Sequence, residues 1–221
     1  MKLFLSAILK FLLGVTIVGL LLFLPAGTLN WRQAWVFMAA LFIPMFIVGI
    51  VLAIKNPHLL QIRLEAKEQE DEQKDVIKFS GLMFIIGFLL AGFNFRYSWF
   101  VLPSWISPIA SVVFLIAYAF YLEVLRENTY LSRTIRVQAN QKVIDTGLYG
   151  VVRHPMYAVT LVLFLMIPLI LGSVCSFIIF LLYPLIIYKR ICNEEEVLKK
   201  ELPGYLAYCE KVRYRLFPGI W

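Results

Sequence analysis

Long apolar runs alternate with short polar segments along the chain, and the lengths of the runs predict membrane-spanning helices. A transmembrane helix needs about 20 predominantly apolar residues to cross a hydrocarbon core ~30 Å thick. Four runs of about this length precede residue 128, namely Leu3–Leu24, Trp31–Ile54, Phe79–Phe95 and Ile106–Leu125. The first part of the chain is therefore predicted to form four membrane helices.

The second of these helices contains Pro44, which predicts a kink because proline lacks the N–H that a helix interior uses. The segment 55–78 that follows is rich in charges of both signs. Its portion Glu65–Lys78 predicts a short surface helix, and we interpret the whole segment as a solvated connector without chemistry.

The pattern changes after residue 127, where the polar segment 128–152 precedes two further apolar helices. The first, Pro155–Leu171, is only just long enough to cross the membrane core at a rise of ~1.5 Å per residue. The turn Gly172-Ser173 joins it to a helix that is predicted to run from about Val174 to Glu201. These two helices are predicted to form a tight hairpin, shallow or tilted in the membrane.

We therefore expect an all-α polytopic membrane protein of about six membrane helices, in a single domain covering residues 1–221. Residues 1–127 supply helices one to four, and residues 128–221 carry the polar clusters. The composition agrees, with 61% hydrophobic and 16% charged residues. The first run could instead be a signal peptide, but its length and the sequence Pro25-Ala26-Gly27 after it favour a retained helix.

Cysteine and histidine usage argues against a metal centre or a disulfide framework. The three Cys are scattered without a CxxC pair, and the chain has only two His. We expect no metal. A nucleic-acid function has no motif behind it, and the net charge of +7 suits an anionic membrane surface instead.

The charges also predict an orientation. With six spans, all but two of the 21 Lys and Arg residues fall on one side, the exceptions being Arg32 and Arg96. All 14 acidic residues fall on that same side. The positive-inside rule makes it the cytoplasmic side, so both termini and the polar clusters are expected to face the cytoplasm.

The stretch Gly147–Tyr157 is the densest polar cluster between apolar helices. His154 precedes a proline and is therefore biased toward an extended backbone, and Pro155 suits the first position of a helix. Arg153 and His154 are thus predicted to lie at a helix N-terminus, where free N–H groups favour an anion.

A second cluster, Arg190–Glu195, follows the hairpin. Arg190 and Glu194 are four residues apart and share a helix face. One interpretation is therefore an ordinary intrahelical ion pair without a functional role. The corresponding interpretation of Arg153 is a basic side chain that extends to the lipid headgroups without a functional role. Ionisable groups near the bilayer are costly unless they are used, so we predict that the two clusters face each other and form one site.

Other function classes lack their signatures in this chain. No G-x-G-x-x-G, Walker, G-x-S-x-G or H-E-x-x-H motif occurs. A transporter would place polar positions at mid-membrane, whereas here they lie at one edge. That layout is typical of an enzyme that takes one reactant from the cytosol and one from the lipid.

An ordered set of motifs resembles the isoprenylcysteine carboxyl methyltransferase family, which is related to the phosphatidylethanolamine N-methyltransferases. The motifs are Gly147-x-Tyr149-x-x-x-Arg153-His154-Pro155-x-Tyr157, Arg190-x-x-x-Glu194-Glu195-x-x-Leu198, Gly204-Tyr205-x-x-Tyr208 and Arg215-x-x-Pro218. The resemblance covers roughly residues 141–221 and implies an integral membrane enzyme that uses S-adenosylmethionine.

The resemblance also implies which residues form the site. The residues implied to bind the cofactor are Gln141, Lys142, Val143, Ile144, Tyr149, His154, Pro155, Met156, Tyr157 and Glu194. Arg190 corresponds to the substrate-side arginine, and the catalytic set is Arg190, Glu194, Arg153 and His154. Eukaryotic members carry a His where this chain has Gln141, which is a departure from their pattern.

Several acceptors fit this expectation. The first is the carboxylate of a lipidic or prenylated acceptor, which is already ionised and suits the planar fork of Arg190. A phospholipid amine must first lose a proton, for which His154 or Glu195 could be the base. A thiol or another small or lipidic acceptor also remains open, as does a non-enzymatic membrane scaffold that retains the motifs.

Overall fold

The structure is a computed structural model that describes residues 2–64, 71–131, 137 and 140–221. Its regular elements are helices, and the described residues form no strand, although one isolated β-bridge joins Val101 and Ser173. The elements are α1 Lys2–Ala26, α2 Arg32–Lys55, α3 Pro57–Leu64, α4 Asp71–Tyr97, α5 Ile106–Glu127, a 3₁₀ turn Gly147–Gly150, α6 Pro155–Leu171, α7 Val174–Phe180, α8 Tyr183–Glu201 and α9 Tyr205–Lys211.

The described helices confirm the prediction of an all-α polytopic membrane protein. Five segments are long and apolar enough to cross a bilayer, namely Leu3–Ala26, Arg32–Lys55, Lys74–Tyr97, Ile106–Glu127 and Val174–Glu201. The sixth, α6, is a shorter apolar helix, as its length in the sequence predicted.

The connector between α2 and α4 differs from its prediction. Residues 71–78 do not form a separate surface helix but are the first turns of α4, while residues 65–70 lie outside the described part of the chain. The preceding residues form α3, which buries Leu59 and Leu60. The interpretation of the whole segment as a solvated connector was therefore wrong, because α3 packs an apolar face against the bundle.

The last predicted membrane helix is divided into α7 and α8. The division falls at Leu181 and Leu182, and Pro184 lies in the first turn of α8. Proline has no N–H to donate to the carbonyl four residues before it, so this position favours a helix start. The tight turn before α7 is present as predicted, with Gly172 in the left-handed region at φ 73°.

Aromatic side chains fill the centre of the bundle. Phe37, Phe114 and Phe180 are each buried at 1% exposure or less, and Phe88 packs beside them. A Cβ atom added at Gly87 would lie 2.4 Å from the Phe180 ring, so α4 and α7 approach closely only because that position is glycine.

The packing of α5 against α6 fixes where the polar clusters meet. Ser107 Oγ donates a hydrogen bond of 2.7 Å to the carbonyl of Ile170, which joins the first turn of α5 to the last turn of α6. The opposite ends of these antiparallel helices therefore lie together, so that Asn128 approaches Tyr149 at 3.1 Å between amide nitrogen and hydroxyl.

Candidate functional site

The N-terminus of α6 is anchored by the C-terminal tail of the chain. The backbone N–H groups of Arg153 and His154 donate to the carbonyls of Tyr214 and Arg215, both at 2.9 Å. His154 then caps α6, and Pro155 follows at the start of the helix as predicted. The tail is therefore part of the site.

A buried carboxylate stands at the centre of this junction. Glu195 is 1% exposed, and its oxygens lie 2.8 Å from Arg153 Nε, 3.2 Å from His154 Nε2 and 3.1 Å from Arg215 Nε. Lys199 Nζ is 3.4 Å away. We call Arg153, His154, Glu195 and Arg215 the Glu195 cluster. A carboxylate this deeply buried is stable only with such partners.

The Glu195 cluster contains Arg153 and His154, the two residues that were predicted to lie at a helix N-terminus that favours an anion. Arg153 also donates to the carbonyls of Val212 and Arg213, at 2.8 Å each. The anion beside this helix N-terminus is thus the carboxylate of Glu195. The catalytic roles of Arg153 and His154 stay predictions, and the geometry gives both a structural task.

Electrostatics at the edge of the cluster follow from the same contacts. Burial acts to lower the pKa of the Arg215 guanidinium, but its hydrogen bond and charge interaction with Glu195 outweigh burial and raise it. Farther out, the exposed Lys211 lies 2.6 Å from Asp145 and lowers the pKa of that carboxyl.

The second predicted pair is connected through a tyrosine. The hydroxyl of Tyr157 on α6 donates to Glu194 Oε2 and accepts from Arg190 Nε at 2.9 Å. The Arg190 guanidinium carbon also lies 5.9 Å from the centre of the Tyr157 ring. The two predicted clusters therefore face each other, with Tyr157 between Arg190 and Glu194.

One cavity, here called the first cavity, is lined by most of the residues predicted to bind the cofactor. Those residues are Lys142, Val143, Ile144, Tyr149, His154, Met156, Tyr157 and Glu194. Gln141 and Pro155 are not among its lining residues. Pro155 is buried at the start of α6, and Gln141 precedes the lining segment.

The first cavity also has lining residues that the prediction omitted, namely Asn128, Leu131, Leu198, Leu202, Tyr205 and Tyr208. Leu198, Tyr205 and Tyr208 belong to the quoted motifs, so their spacing was an available signal. Asn128 and Leu131 follow α5 without any motif, and only the packing of α5 against α6 brings them here.

A buried hydroxyl without a partner indicates that the first cavity suits a polar ligand. Tyr205 is 4% exposed, and its hydroxyl forms no hydrogen bond with the described residues. Burial raises the pKa of Tyr205, so the hydroxyl remains protonated and can donate. Together with the carboxylate of Glu194 and the apolar Leu198 and Leu202, this lining fits a ligand with both polar and apolar parts, such as S-adenosylmethionine.

Tyr205→Phe is expected to weaken S-adenosylmethionine binding by ~0.5–1.5 kcal/mol without lowering the stability of the ligand-free protein. The reason is that the removed hydroxyl has no hydrogen bond to the described residues and gains one when the cavity is occupied. Calorimetric titration and thermal unfolding in detergent measure the two effects.

Tyr208→Phe is the matched control, because the Tyr208 hydroxyl donates to the carbonyl of Tyr149 at 2.7 Å. This variant should lose stability instead. Equal affinity of the wild type and Tyr205→Phe for S-adenosylmethionine would show that the Tyr205 hydroxyl does not contact this ligand.

A second cavity of about 410 Å³ lies on the other side of Tyr157. Met156 and Tyr157 line both cavities, which therefore adjoin each other. Arg190 lines the second cavity, as does Arg63 from α3. Glu194 and Arg190, one turn apart on α8, thus open onto different cavities.

Metal-binding groups do not cluster in the part of the chain that the structure describes. No three His, Cys, Asp or Glu side chains there come together in a way that could hold an ion.

A comparison with protein-family models bears on the activity of this chain. A family model described as phospholipid methyltransferase matches residues 107–203. The matched region spans α5 to α8 and includes every residue predicted for the site. It supports membrane methyltransferase activity for this chain. Comparison with individual curated proteins gives no match.

The match leaves the finer prediction open. It lends support to the broader group to which isoprenylcysteine carboxyl methyltransferases are related, but it does not distinguish that branch from the phospholipid N-methyltransferases. The acceptor must therefore be argued from the two cavities.

Proposed function

We propose that the protein transfers a methyl group from S-adenosylmethionine to the carboxylate of a lipidic or prenylated acceptor at the membrane surface. The observation that carries the proposal is the pair of adjoining cavities that share Met156 and Tyr157 in their linings. Glu194 serves the donor in the first cavity, and Arg190 serves the acceptor in the second.

On the donor side, the residues hold and orient a ligand of mixed polarity. Glu194 accepts hydrogen bonds from hydroxyl or ammonium groups of the donor, and the Tyr205 hydroxyl adds a further contact. Leu198 and Leu202 pack against apolar surface. When bound, S-adenosylmethionine supplies an electrophilic methyl group on a sulfonium.

On the acceptor side, Arg190 binds both oxygens of a carboxylate through its planar guanidinium. The Tyr157 hydroxyl accepts a hydrogen bond from Arg190 Nε and so holds the guanidinium in place on the side of the first cavity. The protein's task is to align acceptor and donor at ~3–3.5 Å and to exclude water. A carboxylate is ionised at neutral pH, so no base is required.

The lining of the second cavity favours a carboxylate over an amine. Among the described residues around it, two are arginines and none is Asp, Glu or His. An ammonium group would meet two positive charges there and no general base. His154 and Glu195, the bases predicted for an amine acceptor, are instead bonded to each other in the Glu195 cluster.

Methylation of a phospholipid amine is the second candidate, and the match to the phospholipid methyltransferase family model is equally compatible with it. In that case Arg190 would contact the lipid phosphate rather than the reacting group, and the amine would lose its proton to water.

The chemical nature of the product separates the two candidates. Membranes containing the protein are incubated with methyl-labelled S-adenosylmethionine, and the extracted lipid is treated with mild base. We expect release of labelled methanol, because a methyl ester is cleaved by base and an N-methyl group is not. Base-stable label on a lipid amine would instead establish the second candidate.

Donor binding is the control for this experiment. The purified protein in detergent should bind S-adenosylmethionine in calorimetric titration, and treatment with a chelator should not change the affinity. Folded protein without donor binding would refute methyltransferase function altogether.

We also propose that both termini and both cavities face the cytoplasm, since nearly all Lys and Arg residues lie on that side of the six helices. A reporter fused to the C-terminus should be active only in the cytoplasm. Activity confined to the outer side would refute this orientation.

A further inference from the structure

A third cavity, of about 420 Å³, lies between α1, α2, α3 and α5. Its wall on α1 includes Phe4, Phe11 and Gly14, and its wall on α2 includes Gly49 and Ile50. From Phe4 to Gly14 it follows α1 over ~15 Å at 1.5 Å per residue. The third cavity is a long and mainly apolar groove on the lipid-facing side of the bundle.

The third cavity adjoins the second. Arg63 and Tyr121 line both of them, just as Met156 and Tyr157 line both the first and the second. The three cavities therefore adjoin one another in a row, with the second cavity, which Arg63 and Arg190 line, between the groove on α1 and α2 and the first cavity.

Arg63 is held at the junction of the second and third cavities. Its guanidinium donates a hydrogen bond to the Tyr121 hydroxyl, and its central carbon lies 5.5 Å from the centre of that ring. At the end of α3, the Leu64 carbonyl accepts a 2.7 Å hydrogen bond from Lys10 Nζ, which ties α3 to α1. The position of Arg63 is thus set by both α1 and α5.

We propose that Arg63 is a second headgroup-binding residue of the acceptor site and that the groove on α1 and α2 holds the acceptor's long apolar chain. This inference rests on the proposed function. The occupant is a lipid with one anionic headgroup, which lies in the second cavity between Arg63 and Arg190. The α3 segment lies outside the region that the family model matches.

Charge and shape support this occupant together. An arginine side chain can pack its stem against apolar groups and still present a bidentate donor to an anion. A polar headgroup in the groove itself would find mainly aliphatic and aromatic side chains. A single-chain anionic lipid matches a groove that ends at two arginines.

Photolabelling tests the proposal with defined probes. The purified full-length protein in detergent is exposed to a long-chain fatty acid that carries a photoreactive diazirine at the end of its chain. The neutral methyl ester of the same probe is the comparison. We expect the acid to label peptides from residues 4–14 and 45–52, and the ester to label them about tenfold less, a ratio that corresponds to ~1.4 kcal/mol.

Two variants test whether acid-selective labelling depends on the open groove and on the charge of Arg63. Gly49→Leu places a side chain into the third cavity, where a Cβ atom at Gly49 meets nothing within 4 Å. Arg63→Gln removes the charge and leaves the groove open. Both should lower labelling by the acid to the level of the ester, with donor binding unchanged.

Gly81→Leu is the matched control, because Gly81 is also a helical glycine with nothing within 4 Å of an added Cβ, but on the exposed face of α4. It should leave labelling and melting temperature as in the wild type. Equal labelling by acid and ester would mean that the groove binds apolar chains whatever the charge of the headgroup, and it would overturn the proposal. Acid-selective labelling in a protein that binds no donor would retain the lipid site and refute the methyltransferase function instead.

Discussion

Glu194→Gln is expected to weaken S-adenosylmethionine binding by ~1.5–3 kcal/mol, the contribution of a hydrogen bond to a charged group. Arg190→Gln is expected to leave donor binding nearly unchanged and to abolish turnover of a carboxylate acceptor. The physical reason is that the two side chains open onto different cavities although they lie one turn apart on α8. Calorimetry and a methyl-transfer assay measure the two effects.

Two control variants accompany these changes, one at another carboxylate of the same helix and one that keeps the positive charge of Arg190. Glu196→Gln changes an exposed carboxylate on α8 and should alter neither quantity. Arg190→Lys should restore turnover only in part, because an ammonium group cannot bind both carboxylate oxygens as the guanidinium does. If Arg190 and Glu194 only stabilised the helix, both single changes would have small and equal effects, on the order of 0.3–0.5 kcal/mol.

Glu195→Gln is expected to destabilise the folded protein by ~3–5 kcal/mol, because it leaves the buried partners of a carboxylate without their counter-charge. Arg153 and Arg215 would both lose a charged hydrogen bond, and the tail that they attach to α6 would be loosened. Thermal unfolding in detergent, followed by a helix signal, measures the change.

The exposed pair of Lys211 and Asp145 provides the contrast. Its two side chains are 63% and 42% exposed, so solvent screens their attraction. Lys211→Gln should therefore leave the melting temperature almost unchanged. A Glu195 variant as stable as this control would contradict the structural role of the Glu195 cluster.

The sequence predicted best what depends on local residues. Pro155 and Gly172 mark the two ends of α6, and the predicted bounds are those observed. It did not predict the division of the last helix, where Pro184 lies in the first turn of α8. Pro44 also lies inside a predicted helix, but α2 continues through it, and the kink expected there stays a prediction.

In the site, too, the sequence predicted what local motifs determine and missed what long-range packing determines. Eight of the ten residues that the family resemblance implied for cofactor binding line the first cavity, whereas Gln141 and Pro155 do not, and their role toward the cofactor stays a prediction. Glu194 and Glu195 are neighbours on α8 and point in different directions, so their tasks depend on what each one faces. Glu195 contacts the tail, and Arg63 and Arg190 line one cavity, and such placements of distant parts of the chain leave no local pattern.

The attachment of the tail to the start of α6 has a consequence for the order of folding. The hydrogen bonds from Arg153 and His154 to Tyr214 and Arg215 join segments far apart in sequence, and such pairings form late because the intervening chain must first be ordered. During synthesis, the membrane helices can insert before residues 212–215 have left the ribosome. The contacts that hold Arg153 and His154 at the wall of the first cavity are then made in a final docking step, so a chain that stalls before that step would be fully inserted in the bilayer with this part of the wall unanchored.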